Sequence, residues 1–488
     1  MRTRDGQGGG RGKGPRRPAK DGRPRQDRPR EERPGGRPGG GRSRSPSPAK
    51  RGRGGEGARS GPPSWWKMPA VPDKEADVPA PPPVAKPAPA PKPPPLGARL
   101  AQIKELEVRV EKLVEGGEGL ARWEGVPIFI PRSAPGDLAK VRIVDRRPDY
   151  GRAEIVEILE PGPARRPDPY PELSPTGICD LQHIKDEIQP LLKAAAVRET
   201  LERLGGIQVG PENTELLAGA PWGYRLRTQL HTDVDPMTNG VRVGYYARGT
   251  KDLIPITRCA LLVPELEAYL PILQSQLTAG GPNRIDVAAG DGGEVTVSPN
   301  IPELPHGEVA LQVGDLSYIF DARTFFQGHR ELLPRLVQAV VGDWEGETAF
   351  DLYGGVGLFA LALAGRYRKV VTVEGDTQSA RYARMNARRN KLTNVEVVAR
   401  AVETWIPELP ENADRVVVDP PRGGLSPKVP RILLERKPKR LTYLSCHPAT
   451  LARDLRLLKQ AYRIEKISLI DLFPQTGHME ALVQMVLE

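Results

Sequence analysis

The chain has 488 residues, with 72 Lys or Arg against 61 Asp or Glu and only three cysteines. That length exceeds one ordinary core and implies two to four domains. Three unevenly spaced cysteines make no disulfide framework, which points to a reducing, cytoplasmic setting, and no apolar run is long enough to span a bilayer or to act as a signal peptide. The formal charge of +11 is localised: residues 1–60 hold 19 basic and 6 acidic side chains, a net of +13, and the rest of the chain nets −2. Any nucleic-acid surface on the folded body must therefore be a local patch.

Residues 1–96 read as a disordered Gly/Arg/Pro-rich basic tail and Pro-rich linker, because such a segment cannot bury enough surface to offset its chain entropy. Its repeats RGKGPRR and RGRGG fit a salt-sensitive hold on phosphate backbones and equally fit a solvated, solubilising tail. PPPVAKPAPAPKPPP is a semi-rigid spacer. Trp65 and Trp66 stand between tail and spacer, as base-stacking platforms or incidental linker aromatics.

From 97 to 160, short alternating strands such as VRVEKLV, VPIFIP and YGRAEIVEIL are separated by Gly-rich turns, the pattern of a small barrel of oligonucleotide-binding size. Residues 161–317 read as a mixed α+β domain, with one helical run (HIKDEIQPLLKAAAVRETLERLGG) and hairpin strands after it. From 318 to 488 strands alternate with amphipathic helices, which predicts an α/β fold with a mostly parallel, doubly wound sheet.

Within that last region, DLYGGVGLFA carries Gly355-x-Gly357-x-x-Ala360 directly after a predicted strand, and Glu374 closes the next strand 23 positions after Asp351. Glycines there let a backbone approach a ligand, and the acid stands where ribose hydroxyls are accepted. Together they indicate an adenosine-containing cofactor, either a nicotinamide dinucleotide or S-adenosylmethionine. Asp419 opens DPPRGGL after another apolar strand, where paired prolines impose an extended loop or simply a tight turn. In LTYLSCHPAT, Cys446 ends a predicted strand and Pro448 starts a helix, which puts the thiol at the strand-end edge where ligands of open sheets bind. The positive helix end is expected to favour its thiolate. A buried cysteine can also be mere core filler; its placement favours a nucleophile.

DLYGGVGLFALALA, FFQGHRE, DPPRGGLSP, YLSCHPATLARDL and FPQTGHMEALV together resemble the RNA uracil-C5-methyltransferases that use S-adenosylmethionine, and PWGYRLRTQ and IPITRCALL extend the likeness upstream. The resemblance implies a Rossmann-like class I methyltransferase domain, with the barrel as a TRAM module and RNA as partner, 23S rRNA in preference to tRNA. It implies Gln327, Tyr353, Glu374 and Asp419 at the cofactor, Cys446 as nucleophile and Glu480 as general base. The final strand of such folds runs antiparallel, which would return Glu480 to the edge that holds Cys446. Arg422 follows Asp-Pro-Pro where RNA cytosine enzymes carry a second cysteine, so uracil is favoured.

Many relatives hold an iron–sulfur cluster; here its four ligand positions fall on Tyr170, Thr176, Cys179 and Cys259, so neither a cluster nor another metal is expected. His329 and His447 replace the family's asparagine, His447 either as a charged neighbour of the thiol or as a neutral substitute for the amide. Gly354 replaces a frequent cysteine and reads as harmless. A monomer is expected. Two rival functions stay open on the residues alone, a nicotinamide-dependent oxidoreductase and a non-catalytic RNA-binding factor.

Overall fold

The computed structural model describes residues 99–488 apart from Pro211 and Asn213; the tail, the spacer, Trp65 and Trp66 lie outside the described residues. The first five strands are β1 (Glu105–Leu113), β2 (Gly119–Trp123), β3 (Val126–Ile130), β4 (Leu138–Arg146) and β5 (Gly151–Glu160). They close into a barrel in the order β1-β2-β3-β5-β4. Alternation along each strand sends Val108, Val110, Ile128, Ile130, Val141 and Ile143 inward, and these fill the barrel interior. Closure leaves no open sheet edge.

Next come α1 (Gln189–Gly205), β6 (Thr214–Leu217), β7 (Arg227–Val234), β8 (Val241–Tyr246), β9 (Leu253–Pro255), α2 (Pro264–Gln276), β10 (Arg284–Ala289) and β11 (Val295–Ser298). The helical run read from the sequence starts six residues late, at Gln189, because Pro190 is tolerated only in a helix's first turn. Strands β7 to β11 form one antiparallel sheet in the order β11-β10-β7-β8-β9. The helix α1 and strand β6 leave that sheet: α1 packs on a later helix of the catalytic layer, and β6 extends the catalytic sheet itself.

The remaining elements are β12 (Val309–Val313), β13 (Leu316–Phe320), α3 (Leu333–Val341), β14 (Gly346–Leu352), α4 (Leu358–Leu363), β15 (Tyr367–Glu374), α5 (Thr377–Arg389), β16 (Val395–Ala399), α6 (Val402–Trp405), β17 (Arg415–Val418), α7 (Lys428–Arg436), β18 (Arg440–Ser445), α8 (Pro448–Leu458), β19 (Tyr462–Ile470) and β20 (Glu480–Leu487). The sheet order is β16-β15-β14-β17-β18-β20-β19-β6. Its first five strands are parallel, and β20 runs antiparallel against β18. Helices cover both faces, so strands such as β17 (RVVV) are buried throughout. No helix among the described residues is long and apolar enough to cross a membrane.

Candidate active site

The sheet order lines up, along one edge, the ends of β15, β14, β17 and β18 and the start of β20. Those positions carry Glu374, Asp351 with Tyr353, Asp419, Cys446 and Glu480 in that spatial sequence. Ser445 pairs with Ala481 across the β18–β20 ladder, so the next step of the register sets Cys446 beside Glu480. Ligands of doubly wound sheets bind outside the carboxyl ends of their parallel strands.

At the β14 end the backbone does most of the shaping. Tyr353, Gly355 and Gly357 all take left-handed conformations, with φ of 63°, 54° and 91°. A side chain on Gly355 would meet open space, so its glycine is there for its backbone angles. Glu374 accepts from the amides of Gly355 at 2.9 Å and of Asp376 at 2.6 Å, which orients the carboxylate over the loop. Asp351 accepts from the Ala360 amide in the first turn of α4, and the Tyr353 hydroxyl donates to Glu403 at 2.9 Å. Three acceptors on this edge are buried without a partner in the protein: Oδ1 of Asp351, Oε1 of Gln327 and Oε2 of Glu480. Orphaned buried acceptors are costly, and beside an open glycine loop they fit an elongated polar ligand such as S-adenosylmethionine.

Gly354 has a packing reason that the sequence reading missed. A Cβ there would fall 1.9 Å from Oγ1 of Thr372 and 2.9 Å from Oδ2 of Asp351. With threonine on the neighbouring strand, a cysteine has no room.

The nucleophile turn is shaped by side chains. His447 is the N-cap of α8 and its Nδ1 accepts from the Thr450 amide at 3.3 Å. That nitrogen must be unprotonated to accept, so His447 does what a capping asparagine does. His329 repeats the device: Nδ1 accepts from the Leu332 amide just before α3, and the buried ring stacks on Tyr224. Burial pushes His329 down to about 4, which keeps it neutral. The loop opened by Asp419 is stapled to α8 by Asp454, which accepts from the Leu425 amide and the Tyr443 hydroxyl. This staple brings Arg422 to the site, where it donates to Nε2 of His478 at 3.0 Å.

The electrostatics correct one expectation. Cys446 is pushed up to about 11, first by burial and then by the charges of Glu480 and Asp419, with Arg422 pulling the other way. Burial, with the two facing carboxyls behind it, works against the helix end and favours the thiol over the thiolate. Burial and Asp419 likewise raise Glu480 to about 8, and burial raises Asp419 to about 7 against the pull of Gln327.

A cavity of about 340 Å³ opens over the thiol, within the range of small-ligand sites. Its wall includes Cys446, His447, Arg422, His478 and Lys193, together with Glu115 and Gly116 from the barrel's β1–β2 turn. The barrel turn packs directly on the catalytic layer: a Cβ on Gly477 would lie 2.2 Å from the Gly116 backbone, and Oε1 of Glu115 stands 3.7 Å from Nε2 of His447. Arg165 and the fully buried Asp137 clamp the base of the barrel at 2.7 Å. Sequence patterns gave no sign of this roof, because neither Glu115 nor Gly116 sits in a motif.

The residues at the cluster positions do not fit an iron–sulfur cluster. Cys179 and Cys259 lie in the apolar core and burial raises both thiols, which opposes thiolate ligation. The Thr176 hydroxyl donates to the Leu173 carbonyl, and Tyr170 packs edge-on against Trp222. Two thiols with such neighbours are not the four-thiolate set. Among the described residues no group of three or more His, Cys, Asp or Glu is arranged to hold a metal.

Fold and edge together define a class I S-adenosylmethionine-dependent methyltransferase. Residues 308–487 match a family described as tRNA (Uracil-5-)-methyltransferase, and residues 101–156 match the TRAM domain. The 23S rRNA (uracil(1939)-C(5))-methyltransferase RlmD of Klebsiella pneumoniae is 31% identical over 421 residues, 78% of this chain and 95% of the relative. Its counterpart in Pectobacterium atrosepticum is 32% identical over 422 residues, 78% of this chain and 93% of the relative. The crystal structure of Pyrococcus abyssi tRNA (uracil-54, C5)-methyltransferase in complex with S-adenosyl-L-homocysteine is 25% identical, with a TM-score of 0.62 over 78% of this chain and all of that one. The chain belongs to the RNA uracil-C5-methyltransferase family: it is an S-adenosylmethionine-dependent enzyme that methylates C5 of uridine in RNA.

Proposed function

We propose that the RNA is 23S rRNA and that Cys446 and Glu480 carry the chemistry, with Gln327, Tyr353, Glu374 and Asp419 holding the cofactor. The observation that carries the site reading is the cavity over Cys446, with Glu480 one strand away and the TRAM barrel as its roof. Bound along the edge from Glu374 to Asp419, S-adenosylmethionine supplies an electrophilic methyl group. The thiolate form of Cys446 adds to C6 of uracil, and the C5–C6 electron pair moves to an enolate whose C5 takes the methyl as the methyl–sulfonium bond breaks and its electron pair stays on the cofactor sulfur. The Glu480 carboxylate then removes the C5 proton, the C6–S bond breaks, and the thiolate is released. Both carbons are shielded in stacked RNA, so the uridine enters the cavity flipped from its stack. One chain carries every residue of this scheme.

The 23S substrate rests on the bacterial relatives. A tRNA uridine is the second reading, favoured by the Pyrococcus structure, which is that of a tRNA (uracil-54, C5)-methyltransferase and aligns over 78% of this chain. Mapping 5-methyluridine in 23S rRNA and tRNA from a deletion strain decides between them. Loss from 23S rRNA alone is expected; loss from tRNA alone overturns the substrate.

A further inference from the structure

The turn between β19 and β20, Asp471–Met479, leads straight into Glu480 and is held from a distant part of the chain. Lys193 of α1 is 2% exposed, and its ammonium donates to Oδ1 of Asp471 at 2.6 Å, the Phe473 carbonyl at 3.1 Å and the Thr476 carbonyl at 3.0 Å. Four residues earlier, on the same face of α1, the Gln189 amide donates to Oε1 of Gln475 at 2.8 Å and accepts from the Gln475 amide at 2.9 Å. Gln475 is fully buried in a left-handed conformation (φ 65°), and its own side chain donates to Asp186 at 2.6 Å. The Tyr224 hydroxyl adds a bond to the Pro474 carbonyl at 2.9 Å.

A buried lysine–aspartate pair is a poor route to stability, since desolvating both charges offsets their attraction. Its three ammonium hydrogens have three acceptors, so Lys193 has no donor left for a bound base although it lines the cavity. Whatever it contributes passes through the turn. At the end of that turn, Gly477, His478 and Met479 wall the cavity, and Glu480 follows directly.

We propose that Lys193, seconded by Gln189, is a positioning residue that fixes Glu480 relative to C5 of the base bonded to Cys446. The inference rests on the reading of Glu480 as base. It puts the effect of Lys193 on proton removal rather than on thiol addition. A displacement of about 1 Å can cost on the order of a hundredfold in such a step.

The test uses the full-length enzyme with S-adenosylmethionine and its RNA, comparing Lys193→Met, Gln189→Met and Glu480→Gln. Multiple turnover is expected to fall about tenfold to a hundredfold in the two α1 variants. A covalent enzyme–RNA adduct carrying the new methyl should accumulate on ordinary RNA, as in Glu480→Gln. Trapping by 5-fluorouridine RNA, which reports thiol addition, should stay within about threefold of wild type, well short of that loss. If trapping and turnover fall together in both α1 variants, the positioning role is overturned. Accumulation in Glu480→Gln but in neither α1 variant also overturns it and leaves the base intact. No accumulation in Glu480→Gln removes the base reading instead. Should Lys193→Met melt below the assay temperature, Gln189→Met decides alone, since it leaves the Lys193–Asp471 pair in place.

Discussion

The two strand-to-helix crossings at the site, after β14 and after β18, solve one geometric problem in opposite ways. After β14 the chain turns through left-handed backbone at Tyr353, Gly355 and Gly357, and the N-cap of α4, Gly357, has no side chain to cap it. After β18 the turn is short, His447 caps α8 with its own ring, and Pro448 opens the helix. The first leaves a buried carboxyl oxygen of Asp351 without a partner in the protein, beside a glycine loop that a cofactor can approach. The second spends its hydrogen bonds internally and presents one thiol. A site that binds a ligand is built from unspent polar groups, whereas a site that holds a nucleophile still is built from spent ones.

The largest way to break this contrast is at the thiol itself. Cys446→Ala should abolish the covalent adduct with 5-fluorouridine RNA while leaving the melting temperature within a few degrees of wild type; an adduct in that variant removes the cysteine mechanism. In the native enzyme, adduct formation should climb about tenfold per pH unit from 7 to 9, because the thiol at about 11 exposes more thiolate with each unit. A flat profile would mean that the thiol is already ionised.

At the β14 crossing, Gly354→Ala should cost about 1–3 kcal/mol of stability through overpacking, read as a lower denaturation midpoint. Adding Thr372→Ala removes the 1.9 Å clash and should restore most of it. If the double variant is no better than the single one, the glycine is needed for another reason.

Glu480 sharpens the comparison through pH. Its carboxyl is raised from 4.5 to about 8, so the folded state holds the proton more tightly than the unfolded chain. Stability attributable to it is complete below pH 4.5 and is lost as pH rises through 8. Glu480→Gln should therefore melt near wild type at pH 5 and above it at pH 9; equal curves across that range would contradict a buried, raised carboxyl. The smallest effect belongs to the cap at β18. His447→Ala should cost about 1 kcal/mol and His447→Asn a few tenths at most, both by chemical denaturation. A larger loss with asparagine would give the imidazole a role beyond capping.

Much of this was legible in the residues. DLYGGVGLFA announced its crossing because glycine takes a left-handed turn with least strain, and LTYLSCHPAT announced the other because proline marks a helix start. The sheet itself was legible from the alternation of apolar runs with amphipathic helices. The upward shift of the Cys446 thiol was not: a helix end argues for thiolate, while burial and carboxyls from strands 27 residues before it and 34 after argue the other way. Lys193 was equally silent, an ordinary lysine in an amphipathic run whose partner Asp471 lies 278 residues away.

By itself the sequence determined the family resemblance, the chemical groups at the strand ends and, with three cysteines, the lack of a four-thiolate ligand set, because each depends on residue types within a few positions of one another or on a simple count. Only the tertiary structure decided the order of those groups along the sheet edge, that the barrel turn at Glu115–Gly116 roofs the nucleophile, that β6 extends the catalytic sheet, that burial and facing carboxyls raise the Cys446 thiol, and that α1 grips the turn before Glu480. Those depend on burial and on charges brought together across the fold, and both are set by packing between segments that no local pattern relates.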